Sequence, residues 1–169
     1  INQFEPNLLV HCAALANLGY CEKNQTDAHL VNAILPGEIA KITANSNCKL
    51  ISISTDAVFD GIIGNKSEED SPNPQSIYGK TKLAGEILVL ENDPNAIVAR
   101  VNFYGWSISG KRSLAEFFIN NLRKKNPING FSDVFFSPLY VNHLISILLD
   151  MNNKDLSGLF HVVNSENIS

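Results

Sequence analysis

Short apolar runs that alternate with helical repeats constrain the fold of this chain more than any other feature. Residues 7–12, 49–54 and 96–101 form nearly continuous apolar or β-branched runs. Such runs are typical of strands that are buried on both faces of a parallel sheet. Between them, over 21–44 and 78–91, apolar residues recur at helical spacing. This alternation predicts an α/β fold, a doubly wound parallel sheet with helices on both faces.

The second half of the chain extends the pattern less regularly. Helices are predicted over 114–124 and 141–151, and a last strand over 159–163. Pro36 should bend or restart the helix over 21–44. The segment 56–76 contains glycine, proline and acidic residues and predicts a long surface loop of the kind that often serves function. We expect the apolar residues to face the core, namely Leu83, Ile87 and Leu90 in one helix and Phe117, Phe118 and Leu122 in the next.

Composition excludes several classes of protein. The chain has 169 residues, a net charge of -4 and a pI near 5.5, which predicts one globular unit and argues against nucleic-acid binding. No apolar stretch approaches the roughly 20 residues of a membrane span, and no signal peptide is recognisable. The three cysteines have no C-x-x-C spacing, so we expect buried thiols rather than disulfides or a zinc site. A cytoplasmic protein without a membrane partner is predicted.

A tyrosine and a lysine lie one helical turn apart at the start of the helix over 78–91. Tyr78 and Lys82 therefore project from the same face. A phenol has a pKa of about 10, and a neighbouring ammonium lowers that pKa toward the range useful for proton transfer. The remaining donors of the ammonium could hold ribose hydroxyls. The same spacing also arises by accident, so the pair has to be considered together with its surroundings.

A hydroxyl side chain ends the strand that precedes this helix. Thr55 follows the run over 49–54, and ligands of open α/β sheets bind beyond the carboxyl ends of the strands. There the threonine could bond a substrate oxygen while Tyr78 transfers a proton. The alternative is a turn residue that bonds its own backbone.

These residues lie within a series of motifs that resembles a known family. The motifs are Ala13-Ala14 after a strand, Asn32 in the next helix, S-T-D-A-V-F-D-G over 54–61, Y-G-K-T-K-L-A-G-E over 78–86 and R-V-N-F-Y-G over 100–105. Together they resemble the extended short-chain dehydrogenase/reductase family, and within it the dTDP-4-dehydrorhamnose reductases and related sugar-nucleotide-binding proteins. The resemblance extends to about Val163.

The resemblance implies a role for each matching residue. Tyr78 would be the catalytic acid-base, Lys82 would position the nicotinamide ribose, and Thr55 would orient the sugar carbonyl. The cofactor, NADP or NAD, would be lined by Ala13, Ala14, Asn32, Ser54, Tyr78, Lys82, Val101, Asn102 and Phe103. A nucleotide-linked sugar would meet Thr55, Asp56, Phe103 and Ser137. No metal is expected. A homodimer is an arrangement open to this chain.

The resemblance also implies that this chain contains only part of a Rossmann-like fold. The family begins with a strand and a Gly-rich turn that binds the pyrophosphate, and nothing before Asn7 matches it. We expect 1–101 to be part of a dinucleotide-binding domain, 102–140 a segment of the substrate lobe, and 141–169 a helix and strand that return to the sheet. An N-terminal Gly-rich portion and a C-terminal remainder are expected outside this chain.

Three departures from the family bear on the substrate. A tryptophan is common where Phe103 stands, an aspartate is common near Gly19, and Phe135-Phe136 replaces a glycine-containing segment. Dehydratases of the family carry a glutamate where Ala57 stands, so dehydration is disfavoured. A 4-epimerase, and a non-catalytic regulatory subunit of the methionine adenosyltransferase type, remain as alternatives to the reductase.

Overall fold

The computed structural model describes residues 3–110 and 113–169. Its main sheet has four parallel strands in the order β1 (Leu8–His11), β2 (Lys49–Thr55), β3 (Ile97–Val101) and β6 (Gly158–Val162). Two short strands, β4 (Phe103–Tyr104) and β5 (Leu139–Tyr140), form a separate parallel pair. The parallel sheet that the apolar runs predict is confirmed.

The helices connect these strands. They are α1 (Leu18–Lys23), α2 (Gln25–His29), α3 (Leu35–Ala44), α4 (Ile77–Asn92), α5 (Leu114–Arg123) and α6 (Val141–Asn153). The helix expected over 21–44 is divided, because a π-helical turn over Leu30–Ile34 separates α2 from α3. Pro36 lies in the first turn of α3, directly after this π-helical turn, as expected of a proline that restarts a helix.

The sheet is covered on both faces. Alternate residues of β2 and β3 point to opposite sides, so Leu50 and Val98 pack with Ala40 of α3 and Val89 of α4. On the other side, Ile51 and Ile97 belong to a cluster that includes Leu144, Leu148 and Met151 of α6. The fold is therefore an α/β doubly wound sheet, as predicted.

Two helices bury faces that the apolar pattern did not predict. In α4 the buried residues include Lys82, Gly85 and Glu86, whereas Ile87 is half exposed. The prediction is wrong for Ile87, although Leu90 does pack against the core. The buried face is decided by the Ile53 carbonyl oxygen, which bonds the lysine, and by side chains of β2 and β3 that bond the glutamate. In α5 the predicted stripe is also wrong, since Phe117 and Leu122 are exposed. The capping box of Ser113 turns the carboxylate of Glu116 inward instead.

The long segment between β2 and α4 has little regular structure. After a 3-10 turn over Asp56–Val58 it runs irregularly to Ser76, as the loop prediction requires. Its path is fixed by side chains, since Asp60 accepts a bond from Asn73 and Asp70 accepts two from Ser67. Within the described ranges, no helix is long and apolar enough to cross a membrane.

A glycine of α4 sets how closely this helix packs on the preceding helical segment. A Cβ atom at Gly85 would lie 2.2 Å from the carbonyl oxygen of Asn32. We expect Gly85→Ala to destabilise the protein by about 1–3 kcal/mol, because overpacking outweighs the better helix propensity of alanine. Thermal unfolding should show a fall of roughly 2–4 °C for each kcal/mol.

The matched control is Gly64→Ala, because a Cβ atom there meets nothing within 4 Å. Its midpoint should stay close to that of the parent. Equal midpoints for the two variants would show that α4 can shift at no cost.

Candidate active site

The first turn of α4 is held against the carboxyl end of β2. Ser76 caps the helix by accepting a bond from the N–H of Gly79 at 3.0 Å. A Cβ atom at Gly79 would lie 2.3 Å from the carbonyl oxygen of Ala57, so glycine permits this close approach. It brings Tyr78 beside Thr55. The structure thus places together the two hydroxyls that the sequence predicted at one site.

Lys82 lies one turn further along the helix and is buried. Its ammonium donates to the carbonyl oxygen of Ile53 at 2.7 Å. This is the one hydrogen bond that Lys82 makes with the described part of the chain, and an ammonium carries three donors. Burial lowers the pKa of Lys82, while the Glu86 carboxylate opposes that effect. The remaining donors suit a ligand that carries hydroxyl groups.

The phenol of Tyr78 is more strongly held in its neutral form than the sequence predicted. Burial raises its pKa, and the neighbouring Thr55 side chain offsets this only in part. The nearby carboxylate of Asp56 raises the pKa further. The expectation that Lys82 lowers this pKa is not met, because its ammonium is directed to Ile53. Tyr78 therefore stays protonated at neutral pH.

An acidic and an amide side chain border the same strand ends. The amide of Asn102, just after β3, donates to the carboxylate of Asp56 at 2.7 Å. Asp56 also accepts from the Thr55 hydroxyl at 3.2 Å. A cavity of about 760 Å³ opens beside Asp56 and is also lined by Ser137 and Asn164. The predicted substrate residues Asp56 and Ser137 thus share one cavity.

Phe103 lies in a second, smaller cavity of about 450 Å³. The pairing of β4 with β5 fixes its position opposite Leu139, and its side chain is half exposed. Phe136 lines both cavities and so lies between them. Ser137 donates to the side chain of Asn167, which holds the segment before β5 against the end of the chain.

Four of the predicted cofactor residues differ in how they could meet a ligand. The side chains of Ala13 and Ala14 are small and exposed, so a ligand could pass close to their backbone. Asn32 is buried instead, and its amide bonds the backbone of Leu15 and the hydroxyl of Thr81. Ser54 is also buried. Asn32 and Ser54 could therefore affect cofactor binding only by holding neighbouring segments in place.

One smaller expectation is corrected. Cys21 and Cys48 are buried, as predicted, but Cys12 is exposed because it lies just beyond the end of β1.

His11, the last residue of β1, is buried. Its Nε2 atom is buried and has no hydrogen-bond partner among the described residues. Burial and the charge of Lys82 lower the pKa of His11, so its ring stays neutral.

Sequence reasoning missed a buried ion pair beneath the site. Arg100 of β3 bonds the carboxylate of Glu86 of α4 at 2.7 Å. Ser54 donates to the same carboxylate at 2.5 Å. Two signals were present in the sequence. Glu86 follows Lys82 by one turn, and Arg100 is a charge inside a run of otherwise apolar residues.

The chain can now be compared with known proteins. The family described as the RmlD substrate binding domain matches residues 1–169, which is the whole chain. The chain belongs to this family. The resemblance drawn from the motifs is thereby confirmed.

Two relatives with different names resemble the chain to similar degrees. A dTDP-4-dehydrorhamnose reductase from Mycolicibacterium smegmatis is 34% identical over 166 residues, which is 94% of this chain and 49% of that protein. Methionine adenosyltransferase 2 subunit beta from Xenopus tropicalis is 31% identical over 178 residues, which is 100% of this chain and 53% of that protein. The chain thus spans about half the length of these relatives.

A solved structure has the same fold. The dTDP-4-dehydrorhamnose reductase from Bacillus anthracis, in complex with NADP, matches with a TM-score of 0.92 and 29% sequence identity. The match covers 99% of this chain and 59% of that one.

The lowered pKa of Lys82 predicts how stability depends on pH. Because the unfolded chain holds the Lys82 proton up to about pH 10.5 and the folded chain releases it earlier, stability from this group rises with pH between the folded pKa and 10.5. Each unit of lowering contributes about 1.4 kcal/mol. We expect the unfolding free energy of the parent, relative to Lys82→Met, to rise through this window.

Denaturant unfolding at a series of pH values up to 10.5 measures this difference. The raised pKa of Tyr78 acts in the opposite direction in both proteins, so the subtraction removes it. A difference that is constant with pH would contradict the burial of a charged Lys82.

Proposed function

We propose that the chain carries the active site of an NAD(P)-dependent reductase that acts on the keto group of a nucleotide-linked sugar, as dTDP-4-dehydrorhamnose reductases do. One observation carries this proposal. Tyr78 lies beside Thr55 at the end of β2, with the Lys82 ammonium one turn away on the same helix. A simple binding module has no need of this set of groups.

The three residues have distinct tasks. Thr55 holds the substrate carbonyl oxygen, and Tyr78 gives that oxygen its proton as the carbon is reduced. Lys82 keeps its place through Ile53 and offers its other donors to ribose hydroxyls. The nicotinamide cofactor supplies the hydride when bound. The residues of this chain hold the substrate carbonyl and supply the proton.

The electrostatics of Tyr78 favour the direction of reduction. Burial and the Asp56 carboxylate raise the pKa of its phenol. A phenol that stays protonated is a proton donor at neutral pH, whereas oxidation of an alcohol would need the phenolate. The raised pKa of Tyr78 thus supports a reductase more than an epimerase, which needs the same group to act in both directions.

The surroundings of the three residues support a sugar as the substrate. Asp56 and Asn102 present a carboxylate and an amide, which are suited to sugar hydroxyls, beside a cavity of about 760 Å³. Phe103 and Trp106 border the neighbouring cavity, and an aromatic ring can pack on a sugar face. The mixed lining of both cavities fits a nucleotide-linked sugar better than an apolar ketone.

The cofactor is NADP or NAD. The structural relative from Bacillus anthracis is in complex with NADP, which supports a nicotinamide nucleotide for this chain. The exposed Ala13-Ala14 segment and the free donors of Lys82 fit such a ligand. The acidic or basic residue that selects between NADP and NAD follows an earlier strand in this family type.

A second function is favoured by one comparison. Over 101 residues, the chain is 45% identical to methionine adenosyltransferase 2 subunit beta from Bos taurus. A regulatory subunit that binds a methionine adenosyltransferase is therefore the alternative. It predicts tight binding of that enzyme and no turnover of keto sugars.

Tyr78→Phe tests the proposed proton donor. Removing the hydroxyl should lower kcat by roughly 10²–10⁴-fold, because the acid is lost while the ring stays in place. Cofactor affinity, followed by the fluorescence of the reduced nicotinamide, should change little. A variant that retains full activity would remove Tyr78 from the mechanism.

Asp56→Ala tests the substrate class. We expect a higher Michaelis constant for nucleotide-linked 4-keto sugars, because a partner for the sugar hydroxyls is lost, with turnover followed by nicotinamide absorbance. Asp150→Ala is the matched control, since the Asp150 side chain is exposed on α6 and pairs only with Lys154 among the described residues. Simple ketones should be poor substrates. Their preferential reduction would replace the proposal by a general carbonyl reductase.

A further inference from the structure

A buried ion pair connects three of the segments that carry the site. Arg100 bonds both oxygens of the Glu86 carboxylate, at distances between 2.7 and 3.2 Å, and both side chains are about 4% exposed. Ser54 donates to one of these oxygens. Glu86 lies one turn after Lys82, and Ser54 and Arg100 directly precede Thr55 and Val101. The carboxylate therefore joins α4 to the ends of β2 and β3.

The guanidinium of Arg100 is itself fixed from the other side. Its Nη1 atom lies 3.3 Å from Nε2 of His161, and its centre lies 5.1 Å from the ring centroid of Phe59. Arginine can only donate, so Nε2 accepts, and Nδ1 of His161 donates to the carbonyl oxygen of Lys66 at 3.1 Å. Arg100 thus cannot move away from Glu86 without disturbing β6 and the loop after β2.

Stability alone does not explain this arrangement. A buried ion pair costs desolvation on both sides, and apolar residues of similar volume often give equal or greater stability. The pair also lies at the strand ends near the site, next to the buried Thr55 and Lys82. The charge of the pair and its position beside the site therefore point to a role beyond stability.

We propose that Glu86 and Arg100 are positioning residues, which act on the reaction through Lys82 by fixing its place on the sheet and the charge it carries. This proposal rests on the proposed function, in which the Lys82 ammonium binds the ribose of the cofactor. Arg100 neutralises Glu86 enough to keep that carboxylate from binding Lys82 directly. Lys82 then bonds Ile53 and keeps its other donors for the ligand.

The groups that face Lys82 define what the pair can change. His11 and Cys12 approach it from β1 and the residue after it, and Tyr78 and Glu86 lie one turn to either side on α4. Asp56 acts on Tyr78 from the end of β2. Of these groups, Glu86 is the carboxylate that favours the charged form of Lys82.

The test compares four variants of the pair in the protein that contains this chain. They are Glu86→Gln, Arg100→Gln, the two together, and the exchange of Glu86→Arg with Arg100→Glu. Binding of reduced cofactor is titrated by fluorescence between pH 7 and pH 10.5, without sugar. The readout is the pH midpoint at which affinity falls as Lys82 loses its proton.

The expected shifts have opposite signs. Glu86→Gln leaves an unneutralised cation near Lys82, so the midpoint should fall by roughly one pH unit. Arg100→Gln leaves an unneutralised carboxylate, so the midpoint should rise by roughly as much. The double glutamine variant should return toward the parent. The exchanged pair keeps the total charge but places a cation beside Lys82, so its midpoint should fall.

A merely structural pair would weaken affinity at every pH without moving the midpoint. Unmoved midpoints, or shifts of the same sign in the two single variants, would overturn the proposal. If a single variant does not fold, the exchanged pair decides. If none of the four folds, the pair serves stability alone and the proposal is overturned.

A turnover assay of the parent with a nucleotide-linked keto sugar, run beside the titrations, separates this inference from the proposed function. A parent that binds cofactor and reduces no keto sugar, with midpoints that move as expected, would contradict the function and support the positioning role. Turnover of keto sugars with unmoved midpoints would support the function and contradict the positioning role. A parent that binds no cofactor would contradict both.

Discussion

The burial of a charged face of α4 against the sheet is the constraint on which the rest of the structure depends. Lys82 and Glu86 cannot lie under a helix without partners, because an unpaired buried charge costs several kcal/mol. The partners come from the carboxyl ends of two strands, through the Ile53 carbonyl and the Arg100 guanidinium. These bonds, with the close approach that Gly79 permits, leave Tyr78 against Thr55. The site is thus a consequence of how the helix satisfies its own buried charges.

This origin of the site explains why its groups are tuned as they are. The burial that places Tyr78 beside Thr55 also raises the pKa of the phenol and lowers the pKa of Lys82. A proton donor and a buried cation result from the same packing. Sites built in this way commonly cost stability that an apolar core would keep. The chain compensates with apolar clusters on both faces of the sheet, each of which includes residues of β3.

The sheet, the order of its elements and the grouping of Tyr78 with Lys82 could be predicted from the sequence, because each depends on local patterns. The runs ending at Thr55 and Val101 are strands, and helical spacing alone brings Tyr78 and Lys82 to one face. The buried faces of α4 and α5 were not predictable in this way. Apolar spacing pointed to Ile87 and Phe117, whereas bonds of Glu86 to β2 and β3, and of Glu116 to Ser107 and its capping box, decided the orientation. Bonds of this kind leave no trace in the apolar periodicity.

The central claim is that this site reduces a carbonyl carbon of a nucleotide-linked sugar with hydride from a nicotinamide. The most direct measurement uses reduced cofactor that carries deuterium at the transferable position of its nicotinamide ring. The protein is incubated with this cofactor and a nucleotide-linked 4-keto sugar, and the product is analysed by mass spectrometry and proton NMR. The account predicts one deuterium atom, bonded to the former carbonyl carbon of the sugar. A sugar recovered without deuterium, or with its keto group intact while the protein is folded and has bound the cofactor, would contradict it.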